Sequence, residues 1–407
     1  MYIFTRNKLM YIIVSILVLI LIYYCAQLLF SNTEHMKVIP PQNTYSRSAC
    51  EYKMNETLSN VLSNNHIVEA NNNTNVHFIC SYDNINDEIN NLTPKHNQKI
   101  NIIDNADYIS AKHYLWQRIV LSAGLDRAKI LMPNTFVLSD KQDIERLKKE
   151  YDSKKLYIMK KNIQRQEGLF IIDSLDVILN KASEYSVVQE LLNNPYTVNI
   201  KKDGKVIGNR KINMRFYILV VCHQDNINIY VFNDGFMYYT KANWVKDTVN
   251  HDINVTTGYI DRWIYDENPL THTDFKNYLD DPTRALSVYE QNISNQNIKL
   301  SEIIFSRIHN LLTDVMMSSI GIICGGTKLY NNMTFQLYGA DIAINDNLWP
   351  QVIEINKGPD MGAKDERDKA VKHKCITDML KTINVINNND NNGFIKLINK
   401  NGKHVMS

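Results

Sequence analysis

Three oxygen-bearing side chains near the end of the chain lie in an apolar setting and could bind a metal ion. Two apolar runs flank the turn-rich residues 345–347, a pattern that predicts a β-hairpin. Residues two apart on a strand share a face, so Glu354 and Asn356 point the same way, and the turn places Asp341 on that face too. The alternative is that these are ordinary polar residues on the exposed face of an edge hairpin.

The chemistry of these three side chains favours a hard divalent cation. Two carboxylates repel one another unless a cation lies between them, because burying an unpaired charge is costly. Two carboxylates and one amide carbonyl make an incomplete oxygen shell. Mg²⁺ commonly completes such a shell with water and nucleotide phosphates. The hairpin is therefore compatible with a Mg²⁺ site whose shell is completed by water and nucleotide phosphates, and equally with an exposed polar face.

A lysine earlier in the chain could hold the phosphates. Lys160 ends an apolar strand and is followed, after a short polar loop, by Gly168. A lysine in this position can bind phosphate as a point charge, and the loop can close over it. The alternative is a surface lysine beside Lys161.

Two further strands carry candidate binding residues. The segment VVQELL, residues 187–192, is a strand end that could grip a flat adenine between backbone groups and apolar side chains, although alone it is merely a strand. Lys211, Asn213 and Arg215 alternate with apolar residues and share one face of the next strand. That strip could meet phosphates or a carboxylate substrate, or it could be a solvated sheet face.

The elements around these residues predict a mixed α+β fold. Short strands in residues 75–103 precede a helix at 111–121, which Gly124 ends. From residue 135 onward strands and helices alternate, and a polar loop joins two strands at hairpin distance, which argues against a doubly wound sheet. Residues 300–317 have the apolar spacing of an amphipathic helix.

The chain has the composition of an ordinary globular protein and is long enough for two or three domains. The chain has 407 residues, of which 44% are hydrophobic and 22% charged. Its formal net charge of +2 is too small to indicate a nucleic-acid partner. Six cysteines show no close-spaced metal or redox pattern, so no disulfide framework is inferred.

The N-terminal region predicts a membrane anchor. Residues 10–30 form an uncharged apolar stretch that is long enough to cross a bilayer as a helix, and no small-residue cleavage site follows it directly. We therefore expect a single-pass membrane protein rather than a cleaved signal peptide. The side of the membrane that holds the body of the chain stays open, because Lys37 and Arg47 weaken the positive-inside bias.

In this order, these features resemble the tubulin-tyrosine ligase family of ATP-grasp ligases. The resemblance covers residues 135–361 and is carried by Lys160, the loop to Gly168, VVQELL, RKINMRFYILV, FNDGF and the hairpin GADIAI…VIEINKGPDM. It implies an ATP-grasp fold of mixed and antiparallel sheets with helices, preceded by a small N-terminal α/β domain. We place the boundaries as a tail at 1–9, an anchor at 10–30, a polar stalk at 31–74, the small domain at 75–134, the central subdomain at 135–225, the C-terminal subdomain at 226–386 and a peripheral tail at 387–407.

The resemblance also implies a role for each candidate residue. Lys160 and Gly168 would hold nucleotide phosphates, and Gln189, Glu190, Leu191 and Leu192 would form the adenine linker. Lys211 and Arg215 would line the phosphate and substrate side as catalytic residues, and Asp341, Glu354 and Asn356 would bind Mg²⁺. ATP would phosphorylate a carboxylate on a protein acceptor, tubulin or another protein, and a free amino acid would then form an amide bond with it.

The chain departs from the family pattern at several positions. Lys161 stands where the family usually has proline, Asn213 where it has aspartate, and Tyr238 where it has arginine. Residues 251–254 and 255–258 compete for one further motif. These departures leave substrate choice and full activity open. A catalytically degenerate binding module is therefore an alternative to a ligase, and a lumenal transferase acting on glycans is a third hypothesis suggested only by the anchor.

Overall fold

The computed structural model describes residues 17, 18, 20, 43–48, 53–71, 74–79, 84–163, 168–294, 298–387 and 391–401. The chain divides into two units, residues 1–43 and residues 44–407. In the first unit only Leu17, Val18, Ile20 and Asn43 are described. All elements given below belong to the second unit.

The structure corrects the predicted membrane localisation. Within the described part of the chain, no helix is long and apolar enough to cross a membrane. A spanning helix needs about 20 consecutive apolar residues. Apart from Leu17, Val18 and Ile20, residues 10–30 lie outside the described residues. The prediction of a single-pass membrane protein, with a membrane partner, is therefore contradicted.

Fifteen strands are described in the second unit. They are β1 (Thr44–Arg47), β2 (Val68–Glu69), β3 (Val76–Phe78), β4 (Lys99–Asn101), β5 (Thr135–Val137), β6 (Tyr157–Lys160), β7 (Leu169–Ile172), β8 (Val187–Glu190), β9 (Thr197–Lys202), β10 (Lys205–His223), β11 (Asn226–Thr240), β12 (Thr256–Thr257), β13 (Met333–Ile344), β14 (Pro350–Lys357) and β15 (Phe394–Asn401).

The described helices lie mainly between the strands. They are α1 (Glu56–Asn64), α2 (Ile85–Asn91), α3 (Asp107–Ser110), α4 (Lys112–Ala123), α5 (Leu125–Leu131), α6 (Lys141–Glu150), α7 (Leu175–Asn180), α8 (His251–Asn254), α9 (Ile264–Glu267), α10 (His272–Asp280), α11 (Val288–Ser294), α12 (Leu300–Met317) and α13 (Glu366–Thr382). One 3₁₀ turn covers Ala182–Glu184.

A large mixed sheet forms the body of the second unit. Its strand order is β12-β11-β10-β13-β4-β3-β1-β2, with β14 on β13, β15 on β11 and β9 on β10. The long strands β10, β11, β13 and β14 pair antiparallel, whereas β1 to β4 pair parallel. The segment that the sequence assigns to a peripheral tail contributes β15 to this sheet. The domain boundaries themselves stay predictions.

A smaller antiparallel sheet has the order β5-β8-β6-β7. Its own core contains residues of β5, α6, β6, α7 and β8, including Phe136, Leu147, Tyr157 and Ile178. Together the two sheets and their helices confirm the mixed α+β prediction. The predicted hairpin is also present, with β13 and β14 on either side of residues 345–349.

Local sequence explains the best-predicted elements. The apolar residues of α12 recur every three or four positions, and Ile304, Ile308, Leu311 and Val315 are buried. Asp140 caps α6, its side chain accepting a hydrogen bond from the Gln142 N–H at 2.8 Å. By contrast, the segment 244–282 shows no clear period, yet it folds into α8, β12, α9 and α10.

The structure also contains a disulfide that the sequence analysis does not infer. Cys222, at the end of β10, is bonded to Cys324, which lies 102 residues further along the chain with a Cα–Cα distance of 6.0 Å. Cysteine pairs this far apart leave no spacing signal. Cys375 is a buried free thiol, and Cys25, Cys50 and Cys80 lie outside the described residues.

A buried histidine makes the fold sensitive to acid. His272, at the start of α10, is fully buried, and neither ring nitrogen has a hydrogen-bond partner within the described residues. Its ring packs against Phe216 with centroids 4.1 Å apart. Burial lowers the pKa of His272 well below 6.5, and the neighbouring Lys276 and His309 add to this effect. The folded chain therefore holds the ring neutral. In the unfolded chain the ring takes up a proton as pH falls below its ordinary pKa of about 6.5.

We predict that the free energy of unfolding falls as pH drops below about 6.5, by up to about 1.4 kcal/mol per pH unit from this one residue. His272→Leu removes the titrating ring, so the variant should lose less stability than the wild type between pH 7 and 5. Urea unfolding at several pH values measures this difference. His251→Leu, at a half-exposed position, is the control and should follow the wild-type curve. Parallel curves for wild type and His272→Leu would contradict the prediction.

Candidate active site

A cavity of about 710 Å³ brings the candidate residues together. Every candidate side chain except Gly168 lines it, namely Lys160, Gln189, Glu190, Leu191, Leu192, Lys211, Arg215, Asp341, Glu354 and Asn356. Gly168 lies beside it, where its carbonyl accepts the Lys161 N–H at 3.1 Å and its φ of 74° suits glycine. The cavity is thus built from the smaller sheet and from the long strands of the larger one.

Strand register explains how the hairpin presents its polar side chains. Asp341 on β13 pairs with Glu354 on β14, and Gly339 pairs with Asn356. A bulge between Asp341 and Ile342 shifts the register at this point. The Asn356 amide donates a hydrogen bond to Glu354 at 3.1 Å. The three side chains therefore face the cavity together, as the alternation of the sequence predicts.

Each hairpin carboxylate is paired with a cation. The Arg215 guanidinium donates to both oxygens of Asp341, from Nε at 2.6 Å and from Nη2 at 2.9 Å. The two residues are directly opposite on β10 and β13. Lys112, at the start of α4, lies 3.3 Å from Glu354. These pairs offset the cost of burying two carboxylates close together.

The two carboxylates differ in their ease of ionisation. Burial opposes the ionisation of Glu354, but Lys112 and Lys160 outweigh it and lower its pKa to about 2. Burial raises the pKa of Asp341, and Arg215 acts in the opposite direction. The bidentate contact raises the pKa of Arg215 well above its usual value, so the guanidinium is charged throughout the accessible range.

Two buried lysines lie in the same cavity without a carboxylate partner. Lys160 is 4% exposed and donates to the side-chain oxygen of Gln189 at 2.7 Å. Lys211 is 5% exposed and has neither a hydrogen-bond nor an ion-pair partner in the part of the chain that the structure describes. Burial lowers the pKa of each lysine to about 8, and Lys160 adds to the effect on Lys211. Two such cations favour an anionic ligand.

The strand end at residues 189–192 forms one wall of the cavity. The Gln189 amide bridges to the Thr135 hydroxyl at 2.8 Å, which fixes the side chain that receives Lys160. The Glu190 carboxylate is held by Asn134 at 3.0 Å and by Lys155 at 2.9 Å. Leu191 and Leu192 add apolar surface, together with Ile158, Leu169 and Ile353. A polar strand edge next to apolar side chains suits a flat heteroaromatic group.

Several lining residues escaped the sequence analysis. Lys112 is the most consequential, because its ammonium contacts Glu354 and also donates to the Ile163 carbonyl at 3.3 Å. No local signal identifies it, since the contact joins residues distant in the chain. The segment 254–258 also lines the cavity. The two competing motif alignments at 251–254 and 255–258 therefore both contribute residues.

The side chains in the cavity supply only part of the oxygen shell that a divalent cation needs. Among the residues that the structure describes, no group of three histidine, cysteine, aspartate or glutamate side chains could hold a metal ion. Asp341, Glu354 and Asn356 supply two carboxylates and one amide instead. Mg²⁺ binds such incomplete sets when phosphate oxygens and water complete the shell. The side chains present thus fit a cation that arrives with a phosphate-bearing ligand.

The Arg215–Asp341 pair should be a large contributor to stability. Arg215→Met leaves the Asp341 carboxylate buried without its partner, and we expect the free energy of unfolding to fall by about 3–5 kcal/mol. Urea unfolding of the purified chain measures the loss. Lys148→Met removes a cation from the exposed pair with Glu145 and should cost less than about 1 kcal/mol. Equal losses in the two variants would contradict the assignment.

Comparison with known proteins identifies the family. Residues 90–392, well over half of the chain, match the model of the tubulin-tyrosine ligase family. Relatives include the probable tubulin polyglutamylase ttll-9 of Caenorhabditis elegans, 25% identical over 67% of this chain, and the tubulin monoglutamylase TTLL4 of Mus musculus, 23% identical over 70%. The tubulin glycylase 3B of Drosophila melanogaster is 24% identical over 59% of this chain.

The matches cover 64%, 23% and 31% of these three relatives' own lengths, respectively, so the chain spans less than two thirds of each. The family match nevertheless takes in the cavity, the hairpin and the strands that carry the two buried lysines. The chain therefore belongs to the tubulin-tyrosine ligase family.

Proposed function

We propose that this chain is an ATP-dependent ligase that joins the amine of an amino acid to a carboxylate of a protein acceptor. The observation that carries this proposal is the pair of buried lysines, Lys160 and Lys211, that share a cavity with the Asp341 and Glu354 carboxylates. Lysines buried without a carboxylate partner are unfavourable unless a ligand supplies negative charge. A polyphosphate beside a carboxylate-bound cation supplies it.

The nucleotide would lie in the cavity between residues of the smaller sheet and residues of the long strands of the larger sheet. Its phosphates would meet Lys160 from β6 and Lys211 from β10, while its base would lie against residues 189–192. Gln189 positions Lys160 through the 2.7 Å hydrogen bond and is itself fixed by Thr135. The Glu190 carboxylate accepts hydrogen bonds from Asn134 and Lys155, so this residue would contact the base through its backbone.

Asp341, Glu354 and Asn356 would hold Mg²⁺. When bound, Mg²⁺ offsets negative charge on the phosphoryl group during transfer. Lys112 and Arg215 pair with the same carboxylates in the structure, so these two cations would be available to phosphate oxygens once a divalent ion shares the carboxylates. Arg215 and Lys211 would then stabilise charge on the transferred group.

The reaction can be written with all atoms balanced. An oxygen of the acceptor carboxylate attacks the γ-phosphorus of ATP, the bond from that phosphorus to the β–γ bridging oxygen breaks, and ADP leaves. The nitrogen of the amino acid then attacks the acyl carbon, and the bond from that carbon to the phosphate-bearing oxygen breaks. Of the two protons lost from the ammonium, one ends on phosphate and the other in water. The products are an amide, ADP and inorganic phosphate.

The acceptor would be tubulin or another carboxylate-bearing protein. This part of the proposal is supported by the names of the relatives, which are tubulin polyglutamylases, a monoglutamylase and a glycylase. A binding module without turnover is the second candidate. Asn213 and Tyr238 favour it, because both departures from the family pattern line the cavity itself.

The first test is nucleotide binding. We expect ATP to bind the purified chain in the presence of Mg²⁺, and Lys160→Ala to weaken binding roughly 10- to 100-fold, because a charge-assisted hydrogen bond to phosphate is lost. Calorimetry measures the affinity. Lys161→Ala is the matched control, since the adjacent lysine does not line the cavity and lies 5.4 Å from the Tyr185 ring. Absence of ATP binding to the folded wild type would reject the nucleotide site.

The second test separates a ligase from a binding module. If Glu354 shares a cation, Glu354→Gln should lower Mg²⁺-dependent transfer of labelled amino acids to tubulin roughly 100-fold or more, and it should reduce the effect of Mg²⁺ on ATP affinity. Glu366→Gln alters an exposed carboxylate and should leave both properties unchanged. Transfer at the wild-type rate by Glu354→Gln would reject the role of this carboxylate. ATP binding without transfer in the wild type would favour the binding module.

A further inference from the structure

One side of the cavity is built by two tyrosines and an oppositely charged pair of residues. We call this cluster the tyrosine wall: Tyr238, Gly258, Tyr259, Asp360 and Lys364, all of which line the cavity. The Lys364 ammonium donates to the Gly258 carbonyl at 2.6 Å and lies 3.9 Å from the Tyr259 ring centroid. The Tyr259 hydroxyl lies 3.5 Å from Asp360. These contacts make the wall one continuous surface.

Gly258 brings the wall close to Tyr238. A Cβ at this position would lie 3.0 Å from both Tyr238 Cε1 and the Lys364 ammonium, so a larger residue would force them apart. Tyr259 is 75% exposed and marks the outer end of the wall, while Tyr238 lies deeper within it. A small ligand at Tyr238 would therefore be enclosed, whereas a protein acceptor could approach past Tyr259.

The inner part of the wall is uncharged. Burial raises the pKa of Tyr238 to about 12, so its hydroxyl is neutral at physiological pH. The hydroxyl makes no hydrogen bond within the described residues. Directly opposite on β10 is Asn213, whose buried Oδ1 also lacks a hydrogen-bond partner there. A hydroxyl and an amide oxygen in this position can serve neutral or donor groups of a ligand, but they offer no positive charge.

The cations near Tyr238 pair with other groups and are therefore not available to a second carboxylate of an amino acid. The Arg215 guanidinium lies 5.3 Å from the Tyr238 ring centroid and donates to Asp341 from Nε and Nη2. With Mg²⁺ on Asp341, this guanidinium would turn to the phosphates of ATP. Lys112 pairs with Glu354 in the structure and would likewise turn to the phosphates when Mg²⁺ is bound, where Lys160 and Lys211 are also assigned. Within the wall, Lys364 and Asp360 supply one charge of each sign. These two charges match the ammonium and the single α-carboxylate of a free amino acid. The wall has no further cation for a side-chain carboxylate.

We infer that the amino acid added by this chain has an uncharged, small side chain, with glycine as the simplest member of the class. This inference rests on the proposed ligase function and specifies its substrate. Asp360 receives the ammonium, Lys364 receives the carboxylate, and the side chain lies against Tyr238 and Asn213. Glutamate would place its second carboxylate against these neutral groups without a cation, which is unfavourable in a buried site. Family membership does not decide the point, because the relatives include both glutamylases and a glycylase.

The test uses the full chain with Mg²⁺ and a non-hydrolysable ATP analogue that has an imido group between the β- and γ-phosphorus atoms. Calorimetric titration with glycine, alanine, aspartate and glutamate should show glycine or alanine binding at least about tenfold more tightly than glutamate. Tighter binding of glutamate would overturn the inference, as would binding of the analogue without binding of any amino acid. Failure of the analogue to bind would instead remove the proposed function on which the inference depends.

A variant series locates the selectivity at Tyr238. Tyr238→Arg introduces a cation beside the proposed side-chain position and should raise glutamate affinity relative to glycine about tenfold or more. Adding Asn213→Asp should reverse much of this gain, because the opposing carboxylate pairs with the new arginine. Tyr230→Arg is the control, because it adds the same charge on the same strand at a position that does not line the cavity. It should leave the ratio of glutamate to glycine affinity unchanged. Circular dichroism checks the fold of each variant.

If Tyr238→Arg does not fold, the wild-type ratio of glycine to glutamate affinity still decides the inference. If it folds and the ratio stays unchanged, Tyr238 does not set the selectivity and the inference is overturned. These outcomes are independent of whether the acceptor protein has been identified, because binding is measured without transfer.

Discussion

The pairing of two buried carboxylates with two cations is the interaction on which the cavity depends. Asp341 and Glu354 face each other across the hairpin, the first buried and the second partly buried, and Arg215 and Lys112 offset the cost of placing their charges there. Arg215 comes from the neighbouring long strand, whereas Lys112 comes from a helix far away in the sequence. Lys112 also contacts the Ile163 carbonyl, in the loop that follows β6. One set of charges thus joins the hairpin, the central strand, the N-terminal helices and the smaller sheet.

The same balance explains why the cavity suits a polyanion. Four of its charged groups satisfy one another, and Lys160 and Lys211 are in excess. Burial lowers the pKa of each to about 8, and neither ammonium is paired with a carboxylate among the described residues. A ligand that carries several negative charges would raise the pKa of both lysines towards the usual value. A divalent cation bound by Asp341 and Glu354 would release Arg215 and Lys112 to the same ligand. The cost of burying two uncompensated lysines in the free protein is therefore removed when such a ligand binds.

The sequence was sufficient for those parts of the site that lie on regular strands. Alternation along β10 predicted that Lys211, Asn213 and Arg215 share a face, and the hairpin pattern predicted the convergence of Asp341, Glu354 and Asn356; the structure places both sets in the cavity. Lys112, the Cys222–Cys324 bond and the buried His272 depend on contacts between distant segments, for which a local period carries no information. The membrane prediction relied on the length of one uncharged apolar stretch and on the lack of a cleavage site after it, and the described helices do not support it.

The resemblance implies aspartate and arginine where this chain has Asn213 and Tyr238, and these two differences would be one physical change rather than two. The residues are opposite each other on β10 and β11, so an aspartate and an arginine at these positions would face one another as a cross-strand pair. Replacing only one of them would leave a buried charge without its partner, at a cost that replacing both avoids. A paired exchange of this kind would keep the net charge of the cavity while placing a neutral side chain at position 238 of the wall. Such an exchange would alter which substrates the cavity accepts without disturbing the buried lysines or the paired carboxylates on which the proposed nucleotide binding rests.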